Sequence, residues 1–300
     1  MAGSTYMIVI ARKFGQLGNR LFLFAHLIAA ARHYGVELRN PCFAEYADLF
    51  PSTRSDLWCR YEVHRQRNDP ADSRPSRLAR KSLMAATESA TNVTARLGLF
   101  RRRIEVIRLR SGEYCDLSGD RFQAAIHSGR TLLLQGWEFR GDAFLDQHRS
   151  HVCDFFRISD SDQLAVNRCI ARARQESDIL VGVHIRRGDY ARFRGGRFFY
   201  TDQQYAMWMR DVQQRYAGQR VGFLVCSHDR IDQTKFRGLT ITRGPGTGLR
   251  DLYSLAETDW MMGPPSTFTA WAEFYGRKPR IELESSAAEI RIPGEQSVAA

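Results

Sequence analysis

The ten residues Val181-Gly-Val-His-Ile-Arg-Arg-Gly-Asp-Tyr190 set two adjacent guanidiniums, an imidazole and a carboxylate at the end of an apolar run. Val181, Val183 and Ile185 alternate with smaller or polar positions, as in a strand leaving a core. Such a strand delivers His184, Arg186, Arg187 and Asp189 to its C-terminal end, where Gly188 permits a sharp turn. Open α/β sheets take their ligands in the crevice outside that end. Two guanidiniums there hold uncompensated positive charge until an anion such as a diphosphate arrives. Structural ion pairing is the plainer alternative for either arginine. Adjacent residues of an extended chain point to opposite sides, which argues against both being surface decoration. The motif therefore predicts an anion site, and the prediction fails if both side chains are tied up in internal salt links.

Three further segments reach toward the same chemistry. Phe223-Leu-Val-Cys-Ser-His-Asp229 is an apolar strand that ends in polar groups. A carboxylate beyond a strand end accepts from two adjacent N–H donors, which guanine presents and adenine does not. Capping the short helix that follows is an equally good role for Asp229. In Gly263-Pro-Pro-Ser-Thr-Phe-Thr-Ala-Trp271, Ser266 falls at a helix N-terminus, where its hydroxyl, that of Thr267 and free N–H groups suit a phosphate oxygen. Simple N-capping after a proline turn explains the same residues, and both roles can coexist. In Phe14-Gly-Gln-Leu-Gly-Asn19, glycines allow close backbone approach and Asn19 adds an amide, although most such loops are only turns.

Other signals have structural explanations. Asp160-Ser-Asp162 has metal-binding spacing but falls where a helix starts, where acidic residues cap and complement the dipole. His148 and His151 are three apart without a convincing third ligand. Arg187-Gly-Asp189 is explained by its place at a strand end.

The elements that must position these residues follow from the hydrophobic pattern. Strand Tyr6–Ala11, loop Arg12–Gly18 and helix Asn19–Tyr34 open the chain, with Gly35 closing the helix. His64 to Arg103 reads as loops with one or two helices, followed by strands at Ile104–Leu109 and Leu132–Gln135 and a helix over Asp142–Phe156. From Ile179 the alternation is regular: strands at 179–185, 220–226, 239–242, 260–262 and 280–283, separated by helices. The first of these helices, 202–216, opens with a Thr201/Gln204 capping box. This pattern means a parallel, doubly wound sheet. The expectation is two α/β halves, 1–158 and 159–300, with ligands between them and a loose tail after Glu284.

Composition sets the class. Three hundred residues, 43% hydrophobic and 26% charged, describe a soluble globular chain. No apolar run approaches a bilayer span and the N-terminus shows no signal-type core, so the expectation is a cytoplasmic protein with peripheral contact to a membrane face as an option. Of 44 basic residues only Lys13, Lys81, Lys235 and Lys278 are lysine, and the net charge is +11. Anionic substrates, nucleic acid and acidic headgroups would all suit that balance. Six scattered cysteines without C-x-x-C spacing read as reduced and buried.

Together these segments resemble the α1,2-fucosyltransferase family, within the superfamily that includes α1,6- and protein O-fucosylating enzymes. His184-Ile-Arg-Arg-Gly-Asp-Tyr190 resembles its H-x-R-R-x-D-Y signature, Gly15-Gln-Leu-Gly-Asn19 its N-terminal loop, and Gln135-Gly-Trp-Glu-Phe139 a mid-chain segment. Ser266-Thr-Phe268 with Trp271 resembles its C-terminal block. The resemblance implies a GT-B type enzyme with two Rossmann-like, doubly wound domains facing a cleft, using GDP-fucose without an obligatory metal. It places Arg186 on the β-phosphate with Arg187 in support. His184 and Asp229 would contact guanosine, Ser266 and Thr267 the diphosphate, and Phe268 would also belong to the donor site. Asn19, with Gly18, would lie beside the fucose from the acceptor-side half. Asp189 would act as base or orient the arginines. The acceptor would be an oligosaccharide or glycolipid hydroxyl. Arg20 stands where the family usually has glutamine, His228-Asp229 replaces a pair of aspartates, and Pro264-Pro265 replaces Asn-Ser. Competing readings are a transferase of another GDP-sugar or linkage, a catalytically dead sensor, and a polyanion or nucleic-acid binder. Phe100-Arg-Arg-Arg103 motivates the last, but it lacks the interleaved aromatics that stack bases, so a solvated or membrane-facing surface fits better.

Overall fold

The computed structural model describes residues 6–62 and 74–293, and the chain divides after Ser159 into two compact units. The first unit runs β1 (Met7–Ile10), α1 (Leu17–Tyr34), β2 (Glu37–Arg39), α2 (Arg77–Leu97), β3 (Ile104–Arg108), β4 (Cys115–Asp116), α3 (Asp120–His127), β5 (Thr131–Gln135), β6 (Phe139–Arg140), α4 (Asp142–Gln147) and α5 (Arg149–Phe155). Its main sheet has the order β2-β1-β5-β3 with every pair parallel. Met-Ile-Val-Ile and Thr-Leu-Leu-Leu-Gln are nearly unbroken apolar runs because a parallel sheet is covered on both faces. Helix α1 is buried along most of its length, and Phe24 packs edge-on against Phe43, Phe155 and Phe156.

Several expectations are corrected here. Strand β2 is too short for its period to show in the sequence. The helix expected over 142–156 is two, broken at His148, where φ −106° and ψ 17° leave the helical region. Helix α1 starts at Leu17, two residues before the expected Asn19, so Leu17 and Gly18 belong to its first turn and not to the preceding loop. The part of the loop-and-helix reading that falls on residues 64–73 lies outside the described residues. Among the described residues no helix is long and apolar enough to cross a membrane, and the six cysteines are free.

The second unit runs α6 (Asp160–Gln175), β7 (Ile179–Ile185), α7 (Asp202–Arg215), β8 (Val221–Ser227), β9 (Thr240–Arg243), α8 (Gly248–Ala256), β10 (Trp260–Gly263), α9 (Thr267–Gly276) and β11 (Arg280–Glu282). All neighbours in the order β11-β10-β7-β8-β9 are parallel, with Val183 opposite Val225 on one side and Met262 on the other. The Thr201/Gln204 capping box is complete, with Gln204 N–H donating to Thr201 Oγ1 and Thr201 N–H to Gln204 Oε1. Asp160 and Asp162 sit in the first turn of α6, and Asp162 pairs with Arg250 at 2.7 Å. Their D-x-D spacing is thus a product of helix initiation and an ion pair.

The tail is not loose through Ile292. Ile290 is fully buried and Ile292 nearly so, in the same apolar cluster as Trp208, Met209 and Val225. Two long-range hydrogen bonds hold the approach: Tyr200 Oη donates to the Leu283 carbonyl at 2.7 Å and Trp208 Nε1 to the Ala288 carbonyl at 3.0 Å. Two isoleucines among polar residues are too sparse to show a period, which is why the sequence hid them. Ile290→Ala should lower unfolding stability by about 2–4 kcal/mol in urea denaturation, whereas a loose tail would give no change.

Candidate functional site

In the second unit the chain steps from β7 outward to β8 and β9, then crosses back to β10 on the other side of β7. The order reverses between β7 and β10, and a crevice outside the carboxyl ends at such a reversal is where open α/β sheets take ligands. The loops that border it carry Arg186–Tyr190 and Pro264–Ser266.

One side chain joins the two loops. Tyr190 is buried, donates its Oη to the Pro265 carbonyl at 2.5 Å, and lies under the Arg186 guanidinium, 4.8 Å from ring centroid to Cζ. Burial pushes its phenol above the ordinary range. Arg186 also donates to Asp189 at 2.9 and 3.3 Å, in a pair only three residues apart whose carboxylate is 57% exposed. Gly188, at φ +51°, makes the turn that brings Asp189 back. Asp189 thus holds the Arg186 guanidinium in one orientation through this pair.

Arg187 points elsewhere. It forms an ion pair with Asp202, both side chains about 15% exposed, and reaches the carbonyls of Tyr200 and Arg230 at 3.4 Å. The other Asp202 oxygen accepts from Asp232 N–H at 2.9 Å. Of the two guanidiniums expected to face an anion, Arg187 is thus held in an internal salt link. It fastens the loops after β7 and β8 to the start of α7. Arg186 is paired too, but with the exposed carboxylate of Asp189 three residues on, and it lies over Tyr190 beside the Pro264–Ser266 loop.

His184 is buried on β7 and stacks on Phe268 with ring centroids 4.9 Å apart. Burial, reinforced by the Arg186 charge, drives its imidazole down to about 3, so it is neutral at ordinary pH. Its Nδ1 is buried without a hydrogen-bond partner among the described residues. Ser266 caps α9, accepting Phe268 N–H at 3.1 Å, and Thr267 is the first helical residue. Asp229 lies two residues past β8, half-buried, its N–H donating to Ser227 Oγ. The capping role considered for it belongs to Asp232, which accepts Thr234 N–H. The structure thus brings His184, Arg186, Asp189, Ser266 and Phe268 to one crevice edge, with Asp229 on the adjacent strand's end. Two contributors escaped the sequence reading: Tyr190, present in the motif without a role, and Asp202, whose partner is fifteen residues away.

The first unit repeats the geometry. Its order reverses between β1 and β5, and a groove of about 390 Å³ opens there, lined by Phe14, Trp137 and the loop 108–113. Arg108 on its wall is held by the neutral oxygens of Gln135 and Asn92, each at 2.8 Å, which leaves its charge uncompensated by them. Gly18 and Asn19 do not line this groove. Asn19 packs over Gly15, whose φ of +61° and lack of a Cβ make room for its amide. Arg20 is nearly buried and donates to the carbonyls of Gly15 and Cys42 and to Glu45, so it clamps the loop to the body. His148 and His151 stay apart from any metal geometry: among the described residues no group of three His, Cys, Asp or Glu side chains could hold a metal ion.

No family model matches the chain, and no curated protein does either. Solved structures do. A variant of Arabidopsis thaliana FUT1 in complex with GDP is 14% identical, with 94% of this chain and 72% of that chain covered and a TM-score of 0.52. The fucosyltransferase NodZ from Bradyrhizobium is 14% identical, with 94% and 97% covered and a TM-score of 0.53. The NodZ α-1,6-fucosyltransferase co-crystallized with GDP is 15% identical, with 89% and 92% covered and a TM-score of 0.51. This chain shares their fold. Two Rossmann-like units in one polypeptide is the GT-B plan expected from the sequence, and the likeness at this identity concerns architecture.

Two outcomes follow from the site's electrostatics. Asp202→Asn strands the Arg187 charge in a half-buried position and should cost roughly 2 kcal/mol of stability in urea titration, discounted from a fully buried pair for partial solvation. His184 has a lower proton affinity folded than unfolded, so unfolding takes up a proton below pH 6.5 and stability falls as pH drops from there toward 3. His26, pushed down by burial to about 4, adds in the same sense. His184→Phe should flatten, without abolishing, the loss of urea midpoint across that window.

Proposed function

We propose that this chain transfers fucose from GDP-fucose to a hydroxyl of an oligosaccharide or glycolipid, with inversion and without a metal, in the manner of the galactoside α1,2 enzymes. The observation that carries the proposal is the Tyr190 tether, which joins the Arg186 loop to the N-terminus of α9 at the β7/β10 reversal. The fold shared with FUT1 and NodZ structures that contain GDP supports the donor class. The α1,2 linkage rests on the H-x-R-R-x-D-Y resemblance.

In this reading the second unit holds the donor and the first holds the acceptor. Arg186 meets the charge that develops on the departing diphosphate, an interaction that strengthens as the glycosidic bond breaks. Ser266, Thr267 and the N-terminus of α9 meet the other phosphate oxygens. Asp229 takes the guanine N–H pair, and the neutral His184, unsatisfied at Nδ1, takes a guanosine polar group beside Phe268. Arg187 keeps the loops in register and Asp189 aims Arg186. The resemblance alone assigns Gly18 and Asn19 to the sugar end, and the groove of the first unit at Phe14 and Trp137 offers aromatic faces to a glycan. Guanidinium charge on the diphosphate takes the part that a divalent ion plays elsewhere. Free thiols, most of them buried, support a reducing, cytoplasmic setting.

A thermal-shift panel of GDP, GDP-fucose, GDP-mannose, UDP and ADP, with and without chelator, tests the donor. Stabilisation by the GDP species alone, unchanged by chelator, is expected. Arg186→Ala should lower kcat by about a hundredfold, near 3 kcal/mol, with Arg186→Lys recovering part. Near-wild-type turnover by Arg186→Ala would refute the mechanism.

A further inference from the structure

Where α2 ends, apolar side chains and unpaired arginines share one exposed tip. Arg80, buried at the helix start, donates to the carbonyls of Asp56, Thr53 and Arg54 and anchors that end to the body. Thr91 is the last buried residue of the helix. Beyond it Val93 and Leu97, one turn apart, are exposed, Leu97 to 68%. Gly98 closes the helix, and Leu99 and Phe100 follow, Phe100 at 65% exposure and φ +57°. Phe100 stays in this strained region because its carbonyl accepts from the N–H groups of Arg103 and Ile104 at 2.7 and 2.9 Å. The turn so fixed projects an aromatic ring into solvent. Arg101, Arg102 and Arg103 follow directly, all exposed and without an ion pair among the described residues. The nearest carboxylate in sequence, Glu105, is engaged by Arg130 at 2.5 Å.

We propose that this tip docks the chain on an anionic phospholipid surface, with Leu97, Leu99 and Phe100 entering the headgroup boundary and Arg101–Arg103 meeting lipid phosphates. Apolar insertion and polybasic attraction are each too weak alone and suffice together for stable peripheral binding. Nucleic acid fits less well, because aliphatic side chains do not stack on bases and Phe100 is the one aromatic ring in the cluster. The mixture of aliphatic and cationic groups is what a lipid–water boundary accommodates and an aqueous polyanion does not.

Co-sedimentation with vesicles of phosphatidylcholine alone, and of phosphatidylcholine with phosphatidylglycerol, tests this with the full chain. Wild type should pellet with the anionic vesicles only. Each of Arg101, Arg102 and Arg103 replaced by alanine should weaken that binding about fivefold. Phe100→Asn keeps a residue that tolerates the left-handed backbone and should weaken it about tenfold or more while leaving GDP binding, measured without vesicles, unchanged. In a Leu99→Trp variant the added indole emission should shift to the blue when anionic vesicles are supplied. Wild type that stays in the supernatant, Phe100→Asn that binds as well as wild type, Leu99→Trp emission unmoved by vesicles, or RNA outcompeting the vesicles would each overturn the proposal.

Discussion

The ion pair between Arg187 and Asp202 is the constraint on which the rest of the second unit's crevice depends. Strand β7 leaves the core extended, so consecutive side chains diverge, and the two arginines of the motif cannot do the same thing. Arg187 turns inward to α7 and binds the loop after β8 through the Arg230 carbonyl. Asp202 in turn takes the Asp232 N–H, so one carboxylate fixes two loops. With that side of the backbone pinned, Arg186 is obliged to face the other way, over Tyr190 and toward the start of α9. A pair of arginines facing one ligand would repel each other before it arrived. Asp202 on Arg187 and Asp189 on Arg186 each offset one charge, which lessens that repulsion and holds Arg186 in place.

Both units use the same topological device with different chemistry. In each, the strand order reverses beside the first strand of the sheet, and the carboxyl ends there leave a crevice. The second unit furnishes its crevice with Arg186, a capped helix end and a buried neutral imidazole, groups suited to phosphate and to a polar heterocycle. The first furnishes its groove with Phe14, Trp137 and arginines, Arg108 among them.

Much of this was legible in the sequence where the signal is local. The near-continuous apolar runs of β7 and β8, the Thr201/Gln204 box and the acidic start of α6 each depend on neighbours within a turn, and each is found as expected. What escaped is long-range. Asp202 looks like an ordinary first-turn acid until Arg187 meets it across fifteen residues, and Tyr190 has no role until Pro265 stands opposite. Ile290 and Ile292 show no period, yet the core of the unit closes over them. The break at His148 leaves no trace in composition because both halves keep helical residues. The ion pair of Arg187 escaped for the same reason: its partner was invisible along the chain.

The positions that depart from the fucosyltransferase pattern gain a physical meaning from their contacts. Arg20, in place of the usual glutamine, directs its guanidinium to two carbonyls and Glu45, so the change serves the loop and offers nothing to a ligand. Pro264 and Pro265 matter more. Proline has no N–H, so the turn before α9 supplies no backbone donor there, and the Phe268 N–H is already accepted by Ser266. A diphosphate at this helix end would therefore meet fewer amides than at a loop of ordinary residues. Its charge would have to be met by side chains instead, and among the described residues at this crevice edge those are Arg186 and the His184 imidazole, which is held neutral by burial. The two prolines would thus leave an anion at this helix end more dependent on the Arg186 guanidinium, while the Pro265 carbonyl, by accepting from Tyr190, fixes the ring over which that guanidinium lies.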